Sequence, residues 1–193
     1  MPSRTRILAP ILAALVLTGA GPEPFTIDVV MPLTGAGAFL GTAEQRAIER
    51  FEATEGKAGI GGRPIHFVFH DDQSNPQTAV QLASQIVANK PPVVIGSALV
   101  AMCNAMAPLM RRGPVMYCTS PGIYPAPGSF VFSSSNATKD LAAVQIRYFR
   151  LRGLTKIAAI TSTDASGQDA ARHIKEVMAE PENAGMQLVA DAN

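Results

Sequence analysis

The sequence predicts an α/β protein built on a doubly wound parallel sheet, and three observations predict it. Residues 61–117 read as strand, acidic turn, helix, strand, helix, strand; turn-forming residues fall at the strand ends; and the same unit repeats before and after that stretch. Such alternation calls for a parallel sheet with helices on both faces, and sheets of this kind take ligands beyond the carboxyl ends of their strands.

The elements follow in order. Residues 26–31 form an apolar strand, 32–41 a glycine-rich loop, and 42–54 a helix with Ala43, Ala47, Ile48 and Phe51 along one side. A turn over 56–62 leads into a strand over 64–69. His70-Asp71-Asp72-Gln73-Ser74-Asn75-Pro76 is a turn and helix start, and 78–87 is a helix with Ala79, Leu82, Ala83, Ile86 and Val87 at helical spacing. Pro91-Pro92 closes it, since proline cannot continue a helix. Residues 93–96 are a short buried strand, 101–110 a helix and 114–118 the next strand. The Pro-, Gly- and Ser-rich stretch 119–129 is a loop at a strand's carboxyl end. A strand over 130–133 leads to a helix through Leu141, Val144, Tyr148 and Phe149, with Asn136 or Thr138 as its cap and Arg147, Arg150 and Arg152 on a basic outer face. Residues 156–161 are a strand, 165–178 a helix, and 186–190 begin another strand.

The first twenty residues stand outside this pattern. Arg4 and Arg6 precede an apolar run over 7–17, and small residues follow around Ala20, which is the pattern of an export signal cleaved near Ala20. The run is roughly half of what a membrane span needs. Removing it turns 16 basic against 15 acidic residues into 14 against 15. A nearly neutral chain with no basic stripe argues against a nucleic-acid partner. The two cysteines, Cys103 and Cys118, admit a disulfide in an exported protein. One falls on a helix and the other on the adjoining strand, so two small buried apolar side chains are the plainer reading. No Cys or His spacing suggests a metal site.

Several residues together carry a resemblance: Pro32-Leu33-Thr34-Gly35 after the first strand, Gly61-Gly62-Arg63-Pro64-Ile65, Asp71-Asp72 with Asn75-Pro76 and Ala79, then Val94-Ile95-Gly96 and Ser120-Pro121. In this order they resemble the type I periplasmic binding proteins, and more narrowly the branched-chain amino-acid-binding branch that serves ABC importers. The resemblance implies two lobes joined by hinge strands around a ligand cleft, in chains about twice this length. It therefore implies a first lobe over 21–133, a hinge crossing and incomplete second lobe over 134–193, a periplasmic location, an ABC permease as partner and no cofactor. The chain reads, on this likeness, as truncated.

The same resemblance places the ligand loops. Leu99 and Val100 fall in the first anchoring segment, Ser120, Pro121 and Gly122 in the second, and Leu40 near a position that is aromatic in amino-acid binders. Val100 and Gly122 stand where those binders offer hydroxyl side chains. With Ile123 and Tyr124 nearby, the pocket suits an amino acid or a less polar organic or aromatic acid, its carboxylate met by Thr119, Ser120 and backbone NH groups.

Other motifs carry less. The run from Gly35 to Gly41 has one residue too many for a dinucleotide fingerprint. Asp71 and Asp72 are adjacent and so point to opposite faces of a strand, which suits bracing a turn better than paired acid–base chemistry. His66 and His70 share a face without a third ligand. Ser97, Ser120 and Ser166 lie in no nucleophile motif, and His173 is remote from them in sequence. The chain is read as non-enzymatic, the solute-binding component of an importer. A flavodoxin-like or nucleotide-dependent enzyme domain and a ligand-sensing receptor domain are the alternatives.

Overall fold

The computed structural model describes residues 21–192, so the expected export segment lies outside the described residues. Five parallel strands, β1 (Phe25–Met31), β2 (Ile65–Asp71), β3 (Val93–Ile95), β4 (Val115–Cys118) and β5 (Val131–Ser133), lie in the order β2-β1-β3-β4-β5. A second parallel sheet pairs β6 (Lys156–Ile160) with β7 (Gln187–Ala192). The strand order reverses beside β1, which has β2 on one side and β3 on the other. A crevice therefore opens at the carboxyl ends of β1 and β3.

The central strand explains its own composition. Val29, Val30 and Met31 have no solvent exposure, so a strand covered on both faces reads as a continuous apolar run. Val30 faces a core shared with α2 (Pro76–Ala88) and α3 (Val100–Met106), where Ala83, Met106 and Met116 are buried. Ile27, Val29 and Met31 pack instead with Phe67 and with Ile48 of α1 (Ala38–Ala53). Burial of side chains this size stabilises by roughly 1.5–3 kcal/mol each. Beyond the reach of α1, Tyr117 of β4 and Phe132 of β5 are 45% and 51% exposed on the outer face of the sheet.

Expectations for three helices are corrected, and the open question of the cysteines is settled. α1 begins at Ala38, inside the stretch read as loop, because Gly41 lets the first helical turn lie against Pro32; a Cβ there would stand 2.2 Å from the Pro32 carbonyl oxygen. Its inward face carries Gly41, Glu44 and Ile48, while Ala43 and Ala47 face water. α3 ends at Met106 and continues as a 3-10 turn over Ala107–Met110, where Pro108 has no NH to give an α-helical bond. α4 (Thr138–Leu151) is capped by neither expected residue; Ala137 occupies the cap position without a side-chain bond. Leu141, Val144 and Tyr148 are exposed there, and Ala142, Ile146 and Phe149 pack with Val177 of α5 (Ala165–Met178). Cys103 and Cys118 are joined as a disulfide, their Cα atoms 6.3 Å apart. Gly96 makes room for it: a Cβ at that position would lie 2.9 Å and 3.0 Å from the two sulfurs. No helix among the described residues is long and apolar enough to cross a membrane.

Candidate functional site

The loops beyond the carboxyl ends of the strands are stitched together by one short sequence block. Asp71 ends β2 and accepts from the backbone NH groups of Leu33 (3.0 Å), Thr34 (3.1 Å) and Gln73 (2.8 Å), and from the Thr34 hydroxyl (2.6 Å). Asp72, fully buried, accepts from Ser97 Oγ (2.7 Å) and from the Ser74 NH (2.8 Å). Ser74 Oγ accepts from the Gly37 NH and donates to the Thr34 carbonyl, both at 2.9 Å. Asn75 caps α2 by accepting from Gln77 and Thr78, with Pro76 in the first turn where its missing NH costs nothing. Asp71 thus ties the β1 loop, Asp72 ties the β3 loop, and both loops reach the crevice.

The two acids titrate in opposite directions. Burial opposes ionisation of each. For Asp71 the Thr34 hydroxyl and the three backbone NH groups outweigh it and hold the pKa below the ordinary carboxylate value. For Asp72 burial wins over the bonds from Ser97 and Ser74, the Asp71 charge adds to it, and the pKa is raised. An unfolded aspartate titrates near about 3.9. The stability that Asp71 supplies is present above that value and is lost as pH falls through its lower folded pKa. Asp72 has the reverse sign: its proton is held more tightly in the fold, so its contribution is present below about 3.9 and is lost as pH rises through its raised folded pKa. Urea unfolding followed from about pH 3 to about pH 6 should show Asp71→Asn flattening the acid loss of stability and Asp72→Asn steepening the rise. Parallel curves for both variants and the parent would refute this assignment.

Two cavities open between these loops and the start of α5. One, of about 180 Å³, is lined by Gly37, Leu40, Leu99 and Val100 on one side and by Asp164, Ala165 and Ser166 on the other. The second, of about 510 Å³, is lined by Val100, Asn104, Gly122 and Tyr124 facing Ala165, Asp169 and Arg172. They meet at Val100 and Ala165. A larger groove of about 630 Å³, with Pro24, Glu52 and His66, lies at the amino ends of β1 and β2. The smaller pair is the better candidate, because the switch point is at the opposite end.

The structure brings four of the six expected site residues to these cavities: Leu40, Leu99 and Val100 to the first, Val100 and Gly122 to the second. Thr119 and Ser120 line neither. The Thr119 hydroxyl donates to Glu44 Oε2 at 2.9 Å, and burial raises the Glu44 pKa against that bond. Ser120 is buried, and its hydroxyl has no partner among the described residues. His66 and His70 each face one carboxylate, Glu52 at 2.9 Å and Asp28 at 2.8 Å.

The α5 side was not anticipated from the sequence. Asp164 caps that helix, accepting from the Gly167 NH (2.9 Å) and the Ser162 hydroxyl (2.6 Å), which with that hydroxyl first keep its pKa low. One turn on, burial opposes the charge of Asp169, but bonds from Tyr124 and Arg172 bring its pKa below the ordinary value. The signal was the run of acids and bases at helical spacing, Asp169, Arg172, His173 and Glu176, which reads equally as a solvated face.

A family model described as periplasmic binding protein matches residues 24–193. No curated protein matches the chain. Among solved structures, a solute-binding protein of an ABC transporter from Rhodopseudomonas palustris BisB5, in complex with 3,4-dihydroxybenzoic acid, is 23% identical with a TM-score of 0.71, covering 88% of this chain and 47% of its own. A second R. palustris solute-binding protein, in complex with benzoate, is 24% identical with a TM-score of 0.70 and coverages of 88% and 48%. A leucine-binding protein from Thermotoga maritima is 19% identical with a TM-score of 0.71 and coverages of 87% and 48%. The chain spans about half the length of the structures it matches, and the likeness to them is one of fold.

Proposed function

The chain belongs to the periplasmic binding protein family, and from that premise we propose that it is the extracytoplasmic solute-binding component of an ABC importer. It is non-enzymatic, is exported by the signal over residues 1–20, acts in the periplasm and hands its ligand to a permease. Residues 21–133 form the first ligand-binding lobe, and 134–193 carry the hinge crossing and part of the second. The ligand is a small amino acid or an organic or aromatic acid held between them.

The observation that carries this reading is the pair of cavities meeting at Val100 and Ala165. They sit at the carboxyl ends of the five strands, at the switch point, and are walled by both sheet units. Leu40, Leu99 and Val100 supply an apolar wall, which favours a ligand with an apolar body. That preference agrees with the benzoate and dihydroxybenzoate held by two of the structural relatives and with the leucine-binding name of a third. The Thr119 hydroxyl is engaged by Glu44, and we infer that the Ser120 hydroxyl and backbone NH groups of these loops meet the carboxylate.

Thermal unfolding of residues 21–193 against benzoate, 3,4-dihydroxybenzoate, leucine and short carboxylates tests it. A ligand that binds only the folded form stabilises by about 2.7 kcal/mol at a hundred times its Kd, so a binder raises Tm progressively with concentration. A panel in which no acid shifts Tm while a nucleotide or flavin does would replace this reading with the enzyme alternative.

A further inference from the structure

A polar contact outside the apolar wall joins the two sheet units directly. Tyr124, on the loop after β4, places its hydroxyl 2.7 Å from Asp169 Oδ2 and 2.8 Å from His173 Nε2 on α5, and its ring meets the imidazole edge-on at 5.5 Å. The α5 half of this contact is built in advance. Arg172 binds Asp169, Glu176 Oε2 lies 2.8 Å from His173 Nδ1, and the side chains of Asp169 and His173 are only 10% and 7% exposed. Two residues before Tyr124, the chain has no side chain at Gly122. A Cβ there would stand 2.8 Å from Val100 Cγ2 and 3.0 Å from Asp169 Oδ2, so the bare backbone is what lets α5 come this close.

We propose that Tyr124, Asp169 and His173 form a clasp that holds the two sheet units together without any ligand, with Gly122 setting the distance at which it closes. The phenol donates to Asp169, whose charge is already anchored by Arg172, and the imidazole of His173 packs edge-on against the ring. The clasp lies in the same cavity as Val100 and Ala165; Tyr124, Asp169 and His173 are outside the six residues assigned to the ligand, and Gly122 is shared between the two. Resting on the solute-binding reading, its consequence is for affinity: a protein that spends more time with the units together gives up less of its binding energy to closing them.

The test is the distance between the units, measured without ligand. Cys103 and Cys118 are bonded to each other, so cysteines introduced at exposed Gln81 on α2 and Arg147 on α4 can be spin-labelled selectively. The parent is expected to give one narrow distance distribution. Tyr124→Phe, which keeps the ring and deletes the hydroxyl, and Gly122→Ala, which wedges the backbone away from Asp169, should each broaden the distribution toward a second population. Circular dichroism establishes that each variant is folded, and Asp169→Asn takes the place of any variant that is not. Distributions of the folded variants superimposable on the parent would overturn the clasp. A blank ligand panel would not touch this result, and unchanged distances would leave solute binding standing, so the two readings fail separately.

Discussion

Asp72→Ala is expected to be the most damaging single substitution at the crevice, costing about 3–4 kcal/mol, since each hydrogen bond to a charged group is worth roughly 1.5–3 kcal/mol and its loss strands a buried partner. The carboxylate has no solvent exposure and holds the Ser97 hydroxyl and the Ser74 NH at once. Removing it leaves both without an acceptor and frees the β3 loop, whose Leu99 and Val100 wall the cavities. Part of the loss is offset because burial already disfavours the charged form. Asp72→Asn keeps an acceptor of the same shape and should cost about half as much. Urea unfolding orders the three proteins; an alanine variant no less stable than the asparagine variant would mean that Asp72 does not carry the loop. Ligand affinity should fall with stability in the same order, because the loop that positions Val100 is what is lost.

Opening the disulfide is expected to have the second-largest effect. The bridge closes a loop with a sequence separation of 15 between α3 and β4, and a loop of that length is worth about 3 kcal/mol through restriction of the unfolded chain. For a chain of this size that corresponds to a fall in Tm of roughly 6–12 °C. The double variant Cys103→Ala with Cys118→Ala, or addition of a thiol reductant, should produce it, and reductant should do nothing further to the double variant. If reductant lowers Tm equally in both, the effect is not the bridge. The disulfide sits beside Gly96 and under the loop carrying Ser97 to Val100, so its loss should also weaken solute binding.

The sheet was legible in the sequence because a parallel strand covered on both faces has few alternatives to a continuous apolar run, as Val29, Val30 and Met31 show. The turn block was legible as a pattern, and Asn75-Pro76 as a helix start. What Asp71 and Asp72 hold could not be read, because their partners Thr34 and Ser97 lie across other strands. Glycine misled once. Gly37 and Gly41 read as part of the loop after β1, yet α1 has already begun at Ala38, and the close approaches of Gly37 to Leu99 and of Gly41 to Pro32 belong to its packing. In α4, Leu141, Val144 and Tyr148 and the set Ala142, Ile146 and Phe149 both have helical spacing, and only packing against α5 separates them. The cysteine pair was undecided because spacing does not fix Cβ directions. The clasp was not legible, because Asp169 and His173 have the spacing of an ordinary solvated helix face and Tyr124, read only as a neighbour of the pocket, is distant from them on a loop without periodicity.

The order of the strands also has a bearing on time. Phe25 pairs with Ile65 and Asp28 with Val94, so β1 has no partner until α1 has been made and lacks its second until α2 has followed. No β-hairpin joins consecutive strands of this sheet, and each pairing is reached across intervening chain. Closing such loops costs entropy before any ladder forms, and topologies of this kind fold slowly. A chain built this way stays threadable for longer after synthesis than one nucleated by local turns, a delay that the proposed export would use.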